Sequence, residues 1–125
     1  MKRLAVSALL CFAAAGCGGG GSLYTLVKTR PCLRQNPDVR IDHKLDFVAS
    51  TATGGALHLV LPHNGATLVF GETVDDANNI NDAYHRFRAK NVGVEDIIRQ
   101  DKNAVMLFRQ HPSDADIQTI QTCLK

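Results

Sequence analysis

Two apolar runs that flank a turn give the clearest signal in the pattern of hydrophobic and polar positions along the chain. They span residues 57–61 and 66–70, and the sequence Pro-His-Asn-Gly separates them. Asn-Gly between apolar runs is the strongest short-range indication of a β-hairpin. We therefore predict a hairpin here, with Leu59 and Leu68 on one face, because side chains alternate along a strand.

A helical pattern follows this hairpin. Apolar side chains recur at helical spacing at Ala77, Ile80, Ala83, Tyr84 and Phe87. Thr73 precedes them as a helix cap, and the carboxylates of Asp75 and Asp76 favour the helix dipole in the first turn. The spacing predicts a helix over about residues 74–90.

The same order of elements is then repeated. Residues 94–99 and 104–109 are expected to form a second hairpin, whose turn lies near Lys102. Ser113 is expected to cap a last helix. The apolar stripe of that helix is formed by Ile117, Ile120 and Leu124. Cys123 lies at the edge of this stripe.

Weaker patterns precede the first hairpin. Residues 23–28 and residues 46–51 are rich in β-formers, and each segment predicts a strand. Pro31 is tolerated in the first turn of a helix, so we expect a single helical turn that carries Cys32. Residues 37–44 are expected to be a polar connection.

This order of elements predicts a single α+β domain over residues 23–125. A small antiparallel-rich sheet would carry two main helices on one face, in the order hairpin, helix, hairpin, helix. A ferredoxin-like fold gives the same order when its chain is opened at a different place. The length of the chain leaves room for one hydrophobic core only.

The first sixteen residues form a separate region. Lys2 and Arg3 give a positively charged head, and an apolar stretch from Leu4 to Gly16 follows them. As a helix this stretch would span about 20 Å, which is shorter than the about 30 Å hydrocarbon core of a bilayer. A charged head, a short apolar stretch and small residues at its end are typical of a secretory signal peptide.

Small residues before a cysteine close this region, in the sequence Ala-Ala-Gly-Cys at positions 14–17. The sequence resembles the lipobox of bacterial lipoproteins, although Ala14 stands where that motif most commonly has Leu. The resemblance covers residues 1–17 and implies cleavage before Cys17, lipidation of its thiol, and attachment to the outer face of a bacterial membrane. Residues 17–22 would then be the lipidated cysteine and a flexible Gly-rich tether.

Two other interpretations of the same segment remain open. The three alanines at positions 13–15 also fit the A-x-A form of ordinary secretory cleavage. That cleavage would give a soluble secreted protein with a free Cys17 thiol. Alternatively, the segment stays uncleaved as an anchor.

The four cysteines have separate fates in this interpretation. Cys11 leaves with the signal segment and Cys17 is used for lipid attachment, so Cys32 and Cys123 remain. Outside the cytoplasm such a pair most often forms a disulfide. Two buried free thiols that do not meet are the alternative.

Charge disfavours one class of partner. The chain has 14 Lys+Arg and 12 Asp+Glu, but two of the basic residues belong to the signal segment, which leaves equal numbers of each sign. A net charge near zero argues against a nucleic-acid partner. We expect the membrane, through the lipid on Cys17, and a component of the cell envelope as partners.

No pattern indicates a catalytic residue, a metal site or a cofactor. Ser113 is used as a helix cap, and Ser50 lacks the flanking glycines of a nucleophile elbow. Asp82 and His85 share a helical face, but one such pair is too few for a metal site, and Asp82 pairs more simply with Arg86. The histidines are spread over different elements as His43, His58, His63, His85 and His111.

An exposed aromatic cluster would indicate carbohydrate binding, and the chain has no Trp. We expect its later aromatic residues in the core, namely Phe47, Phe70, Tyr84, Phe87 and Phe108. The expected function is therefore a non-catalytic binding or accessory module of the cell envelope. The alternatives are a small-ligand or metal-binding lipoprotein and a minor envelope hydrolase. The hydrolase is favoured if His58 or His85 lines a pocket beside an Asp or a Ser.

Overall fold

A five-stranded antiparallel sheet forms the centre of the computed structural model, which describes residues 22–87 and 93–125. The strands are β1 (Arg40–Asp42), β2 (Ala56–Val60), β3 (Gly65–Phe70), β4 (Ile98–Asp101) and β5 (Ala104–Phe108), in the spatial order β1-β2-β3-β5-β4. The helices are α1 (Leu26–Gln35), α2 (Phe47–Ser50), α3 (Val74–Phe87), α4 (Val94–Ile97) and α5 (Asp114–Gln121). The predicted α+β class is confirmed.

The first hairpin has the predicted register. Leu59 is paired with Ala66, and Leu57 is paired with Leu68, so these side chains share one face of the sheet. The backbone N–H of Leu61 donates to the carbonyl of Asn64 at 2.8 Å and closes the turn. The Asn-Gly signal and the alternating apolar residues therefore locate this hairpin correctly.

Both faces of the two central strands are buried. Every residue of β3 and of β5 is buried, so the sheet is covered on both sides, whereas the sequence pattern predicts helices on one face. Helix α3 reaches the face that carries Val105, because Asn81 donates a hydrogen bond to Gln100 at 3.0 Å. The Tyr24 hydroxyl, just before α1, donates to Asp101 on the opposite face at 3.2 Å.

The predicted strand over residues 23–28 is wrong, because this segment leads into α1. Thr25 caps the helix, and its backbone N–H donates to the carbonyl of Lys125 at 2.8 Å. Pro31 lies inside one ten-residue helix instead of starting a single turn. Thr29 and Leu33 are fully buried, and this long-range burial outweighs the weak local preference for a strand.

The predicted strand over residues 46–51 is also wrong. Asp46 caps the short helix α2, and its carboxylate accepts hydrogen bonds from Ala49 N–H at 2.9 Å and from the Tyr84 hydroxyl at 3.0 Å. A side chain that bonds to its own backbone competes with strand pairing. The connection predicted over residues 37–44 instead contains strand β1.

The second hairpin begins later than predicted. Residues Val94–Ile97 form the helical turn α4, with Glu95 and Asp96 at its start, and strand β4 follows from Ile98. Acidic side chains favour a helix start over a strand at this position. The turn of the hairpin lies at Lys102, whose φ of 50° is in the left-handed region.

Two phenylalanines lie outside the core, contrary to the prediction. Phe47 is 75% exposed and Phe87 is 70% exposed, whereas Phe70, Tyr84 and Phe108 are buried as predicted. Helix α3 extends to Phe87, and residues 88–92, where its predicted end falls, lie outside the described residues.

The last helix begins at the predicted cap. Ser113 and Asp116 form a reciprocal capping box at the start of α5. Ile120 and Leu124 are buried, and Ile117 packs against the core. The cap and the apolar stripe that predict this helix are therefore also the features that hold it in the structure.

Candidate functional site

Asp42, His58 and Thr67 stand side by side on three adjacent strands. Asp42 on β1 is paired with His58 on β2, and His58 is paired with Thr67 on β3. Residues opposite each other in an antiparallel pair have Cβ atoms about 4.5–5.5 Å apart on the same side of the sheet. The register therefore creates a row of a carboxylate, an imidazole and a hydroxyl group.

A short hydrogen bond joins the first two members of this row. His58 Nδ1 lies 2.7 Å from Asp42 Oδ1, and each side chain is 25% exposed. The backbone N–H of Lys44 donates to the same carboxylate oxygen at 2.9 Å. The Lys44 hydrogen bond is the main cause that lowers the pKa of Asp42; burial opposes it, and the bond to His58 adds to it.

The bond to Asp42 decides which nitrogen of His58 carries the proton. An ionised carboxylate can only accept hydrogen bonds, so Nδ1 of His58 must be the donor. The Nε2 atom of the neutral ring then presents a lone pair on its other side. This nitrogen is directed towards Gly65.

Gly65 leaves space beside the imidazole. His58 Nε2 lies 3.9 Å, and Arg109 Cβ lies 3.7 Å, from the position that a Cβ atom at residue 65 would occupy. The missing side chain opens a cavity of about 130 Å³, which we call the Gly65 depression. Its lining includes His58, Thr67, Leu107 and Arg109. A cavity of about 400 Å³ over the neighbouring turn shares His58, Gly65 and Arg109 with it.

Two arginines flank Gly65 on the row next to Asp42 and His58. The backbone N–H of Arg109 donates to the carbonyl of Gly65 at 2.8 Å, which holds Arg109 beside the start of β3. On the other side, Arg40 is paired with Val60, and Val60 is paired with Gly65. Both arginines are exposed, so this end of the sheet carries positive charge on two sides.

The site combines groups that can bind an anion with two members of a hydrolase triad. A guanidinium group binds carboxylates through two parallel hydrogen bonds. A histidine oriented by an aspartate is also part of a hydrolase triad. However, no hydrogen bond joins the Thr67 hydroxyl to His58 within residues 22–87 and 93–125, so the geometry shows no activated nucleophile beside this histidine.

A buried amide fixes the turn at the rim of the Gly65 depression. Asn64 is 8% exposed. Its Nδ2 donates to the carbonyl of Gln110 and to Asp116, both at 3.2 Å, and its Oδ1 accepts from Gly65 N–H at 2.8 Å. Burial raises the pKa of Asp116, but hydrogen bonds from the Ser113 backbone, from Asn64 and from the Ser113 hydroxyl outweigh it, so the pKa is lowered. The turn is thereby tied to helix α5.

Of the cysteines, two are brought together. Cys32 and Cys123 lie at disulfide distance, with their Cα atoms 5.3 Å apart, so this is the pair that the cysteine count predicts. Cys17, the predicted lipidation site, and the rest of the export segment lie outside the described residues.

No family model, no curated protein and no solved structure matches this chain.

Within residues 22–87 and 93–125, no helix has the length and apolar character needed to cross a membrane. The same residues hold no group of three or more His, Cys, Asp or Glu side chains that could bind a metal ion. Any function of the Gly65 depression has to be inferred from the residues that line it.

The other histidines do not converge on one place. His85 Nδ1 lies 2.9 Å from the carbonyl of Asn81, on the exposed side of α3. His111 Nδ1 lies 2.6 Å from Asp96, and both side chains are well exposed. The predicted ion pair of Asp82 with Arg86 is absent: in the part of the chain that the structure describes, ion pairs form only at His58 and at His111.

The sequence patterns miss Asp42, and they also assign no role at the site to Arg40, Gly65 or Arg109. The hairpin pattern directs His58 away from the face of Leu59, as observed, but its partner falls in a segment predicted to be a connection. The alternation of apolar Val39 and Ile41 with polar Arg40 and Asp42 is the signal that could have located strand β1.

Proposed function

We propose that this protein is a lipoprotein tethered through Cys17 to the outer face of a bacterial membrane, where it serves the cell envelope as a non-catalytic binding module. The observation that carries the binding role is the Gly65 depression, in which charged and polar side chains converge on a small open cavity. Small-molecule sites combine such a cavity with a few oriented polar groups.

The cysteine pair supports the extracytoplasmic location. Disulfides form and persist in oxidising compartments and are rare in the cytosol. The contact between Cys32 and Cys123 is therefore what the export signal of residues 1–17 leads one to expect. Because Cys32 and Cys123 pair with each other, Cys17 is left available for the lipid.

A pair of matched variants tests the tether. In native cells we expect Cys17→Ser to lose incorporation of radiolabelled fatty acid and to leave the membrane fraction. Cys11→Ser is the control, because it changes a cysteine of the same segment six positions earlier, and it should behave as the unmodified protein does.

Mass spectrometry of the mature N-terminus distinguishes the alternatives. A diacylated Cys17 at the N-terminus supports the proposal. A chain that starts at Gly16 with a free Cys17 thiol would mean ordinary secretion, and a chain that keeps Met1 would mean an uncleaved anchor. Either of the last two results would remove the lipid tether from the proposal.

A second candidate function, an envelope hydrolase, is favoured by the row of Asp42, His58 and Thr67. In that case the Thr67 hydroxyl would attack an acyl carbonyl while His58 Nε2 accepts its proton. His58 would pass this proton to the departing alcohol or amine as its bond to the acyl carbon breaks, and water would then hydrolyse the acyl-threonine. A fluorophosphonate probe should then label Thr67, and His58→Gln should abolish the labelling. Absence of labelled Thr67 in the folded full chain would exclude this mechanism and leave the binding role.

A further inference from the structure

We infer that the Gly65 depression binds a small carboxylate that carries an N–H or O–H donor next to its carboxyl group, as in an acylated amino acid or a 2-hydroxy acid. This inference rests on the proposed binding role and deepens it by naming the class of ligand. Two complementary groups, Arg109 and His58, face each other across Gly65 and define that class.

Arg109 is the residue that would bind the carboxylate of the ligand. Arg109 lines the depression and its Cβ lies beside Gly65, so its exposed side chain can supply charge-assisted bonds to a carboxylate, which are about twice as strong as bonds between neutral groups. The only carboxylate in the neighbouring row, that of Asp42, already accepts hydrogen bonds from His58 and Lys44. Arg40, in the same row as Gly65, adds to the positive charge that attracts an anion.

His58 is the residue that would accept a hydrogen bond from the N–H or O–H group of the ligand. With Nδ1 donating to Asp42, the singly protonated form of the ring offers an acceptor lone pair at Nε2 on the side of Gly65. A carboxylate alone would leave this lone pair without a partner. A ligand with an adjacent N–H or O–H satisfies Nε2 and Arg109 at the same time, which a simple fatty acid or a chloride ion cannot do.

Gly65 sets the size of the ligand. The cavity exists because residue 65 has no side chain, and its floor is closed by buried Thr67 and Leu107. A volume of about 130 Å³ admits the carboxylate and donor of a ligand, and the adjoining cavity of about 400 Å³ leaves space for the rest of the molecule. A chain terminus of a peptide would enter with its last residue over Gly65.

Binding is tested on the full lipidated chain in non-ionic detergent, with ¹⁵N-labelled histidine observed by NMR. The signal of His58 is assigned by its loss in His58→Gln. The probes are N-acetylalanine, its uncharged amide, lactate, and propionate, which has the charge but no adjacent donor. We expect N-acetylalanine or lactate to shift the His58 Nε2 signal with a Kd about tenfold or more below those of the amide and propionate.

Two variants examine the two sides of the depression. Arg109→Gln should weaken binding by about tenfold to a hundredfold, since it removes a charged hydrogen-bond partner. Gly65→Ala should also weaken it, and this variant is expected to fold, because its Cβ would meet only ordinary contacts at 3.7 and 3.9 Å. The matched controls are Arg34→Gln at an exposed arginine and Gly93→Ala at an exposed glycine.

The binding measurements can rule out the proposed ligand class whether or not Cys17 carries a lipid. Equal binding of N-acetylalanine and its amide, equal binding of propionate, or full affinity in folded Gly65→Ala would each rule out the proposed ligand class. Preference for N-acetylalanine over lactate would point to a peptide terminus, and the reverse to a free hydroxy acid. The fate of Cys17→Ser in membrane fractions is independent of all these outcomes.

Discussion

The side-chain amide of Asn103 holds the backbone of Tyr24, 79 positions earlier in the chain. Its Oδ1 accepts from the Tyr24 N–H and its Nδ2 donates to the Tyr24 carbonyl, each at 2.8 Å. The same Nδ2 donates to the carbonyl of Gly71 at 2.8 Å, and Asn103 is 1% exposed. The turn of the second hairpin thus fastens the start of the domain to the sheet.

We predict that Asn103→Ala lowers the free energy of unfolding by about 3 kcal/mol. The substitution leaves the buried Gly71 carbonyl and the half-buried N–H and carbonyl of Tyr24 without this partner, and a buried group left in that way costs about 1–3 kcal/mol. Urea denaturation followed by circular dichroism measures the change. Asn79→Ala, on the exposed side of α3, is the control and should change stability by less than about 0.5 kcal/mol. Equal effects of the two substitutions would contradict the role given to Asn103.

Loss of the Cys32–Cys123 bond is expected to lower the free energy of unfolding by about 4 kcal/mol. The two residues are 91 positions apart, and on the chain-entropy model closing a loop of this length restricts the unfolded chain by roughly that amount. The double variant Cys32→Ala, Cys123→Ala can be compared with the parent in guanidinium chloride. Reductant should destabilise the parent and leave the double variant unchanged, and an insensitive parent would argue against the bond.

The pKa of Asp42 is expected to lie below the ordinary value for aspartate. Because folding depresses this pKa, the stabilisation from the ionised Asp42 is fully present above the ordinary value of about 3.9, and it is lost as the pH falls through the lower pKa of the folded state. Carboxyl ¹³C shifts followed from pH 2 to pH 6 report this titration. His58→Gln should raise the pKa only in part, because the backbone N–H of Lys44 is the larger cause. A full return to the ordinary value would make His58 the main cause instead.

The exposed phenylalanines should contribute little to stability. Phe47→Ala and Phe87→Ala are expected to change the free energy of unfolding by less than about 0.5 kcal/mol, as is usual for surface positions. Phe108→Ala, at a fully buried position, should cost about 3–5 kcal/mol. Thermal unfolding of the three variants measures the contrast. A large loss in Phe47→Ala would mean that α2 packs more tightly than its exposure indicates.

The elements that the sequence predicts correctly are those with strong local signals. The hairpin around Asn64, helix α3 behind Thr73 and helix α5 behind Ser113 each combine an apolar pattern with a cap or a turn residue. Local chemistry and tertiary packing agree there, so a short window of sequence is sufficient.

The segments that the sequence predicts wrongly are short and depend on distant contacts. Within residues 23–28, helix α1 begins at Leu26, because Thr29 and Leu33 are buried and Thr25 meets Lys125, a partner at the other end of the chain. Phe87 fits the helical stripe by spacing, but it lies one turn beyond Tyr84, at the end of the described helix, and is exposed. Neither outcome is visible in a local window.

The candidate site was predictable only in part. The hairpin pattern places His58 and Thr67 away from the face of Leu59. The condition that favours the hydrolase alternative, His58 lining a cavity beside an Asp, is met by Asp42. Gly65 matters because it leaves space between His58 and Arg109. These residues become neighbours only when strands β2, β3 and β5 pair in the sheet. Sequence spacing cannot supply that alignment.

Strand β3 separates Tyr24 from the Gly65 depression. Tyr24 is fastened near the end of β3 at Gly71, whereas Gly65 begins the strand, and the six-residue strand Gly65–Phe70 spans about 17 Å. If the chain is anchored at Cys17 as proposed, its point of attachment and the Gly65 depression therefore lie at opposite ends of β3. A molecule bound at Gly65 would then not compete for space with the tether.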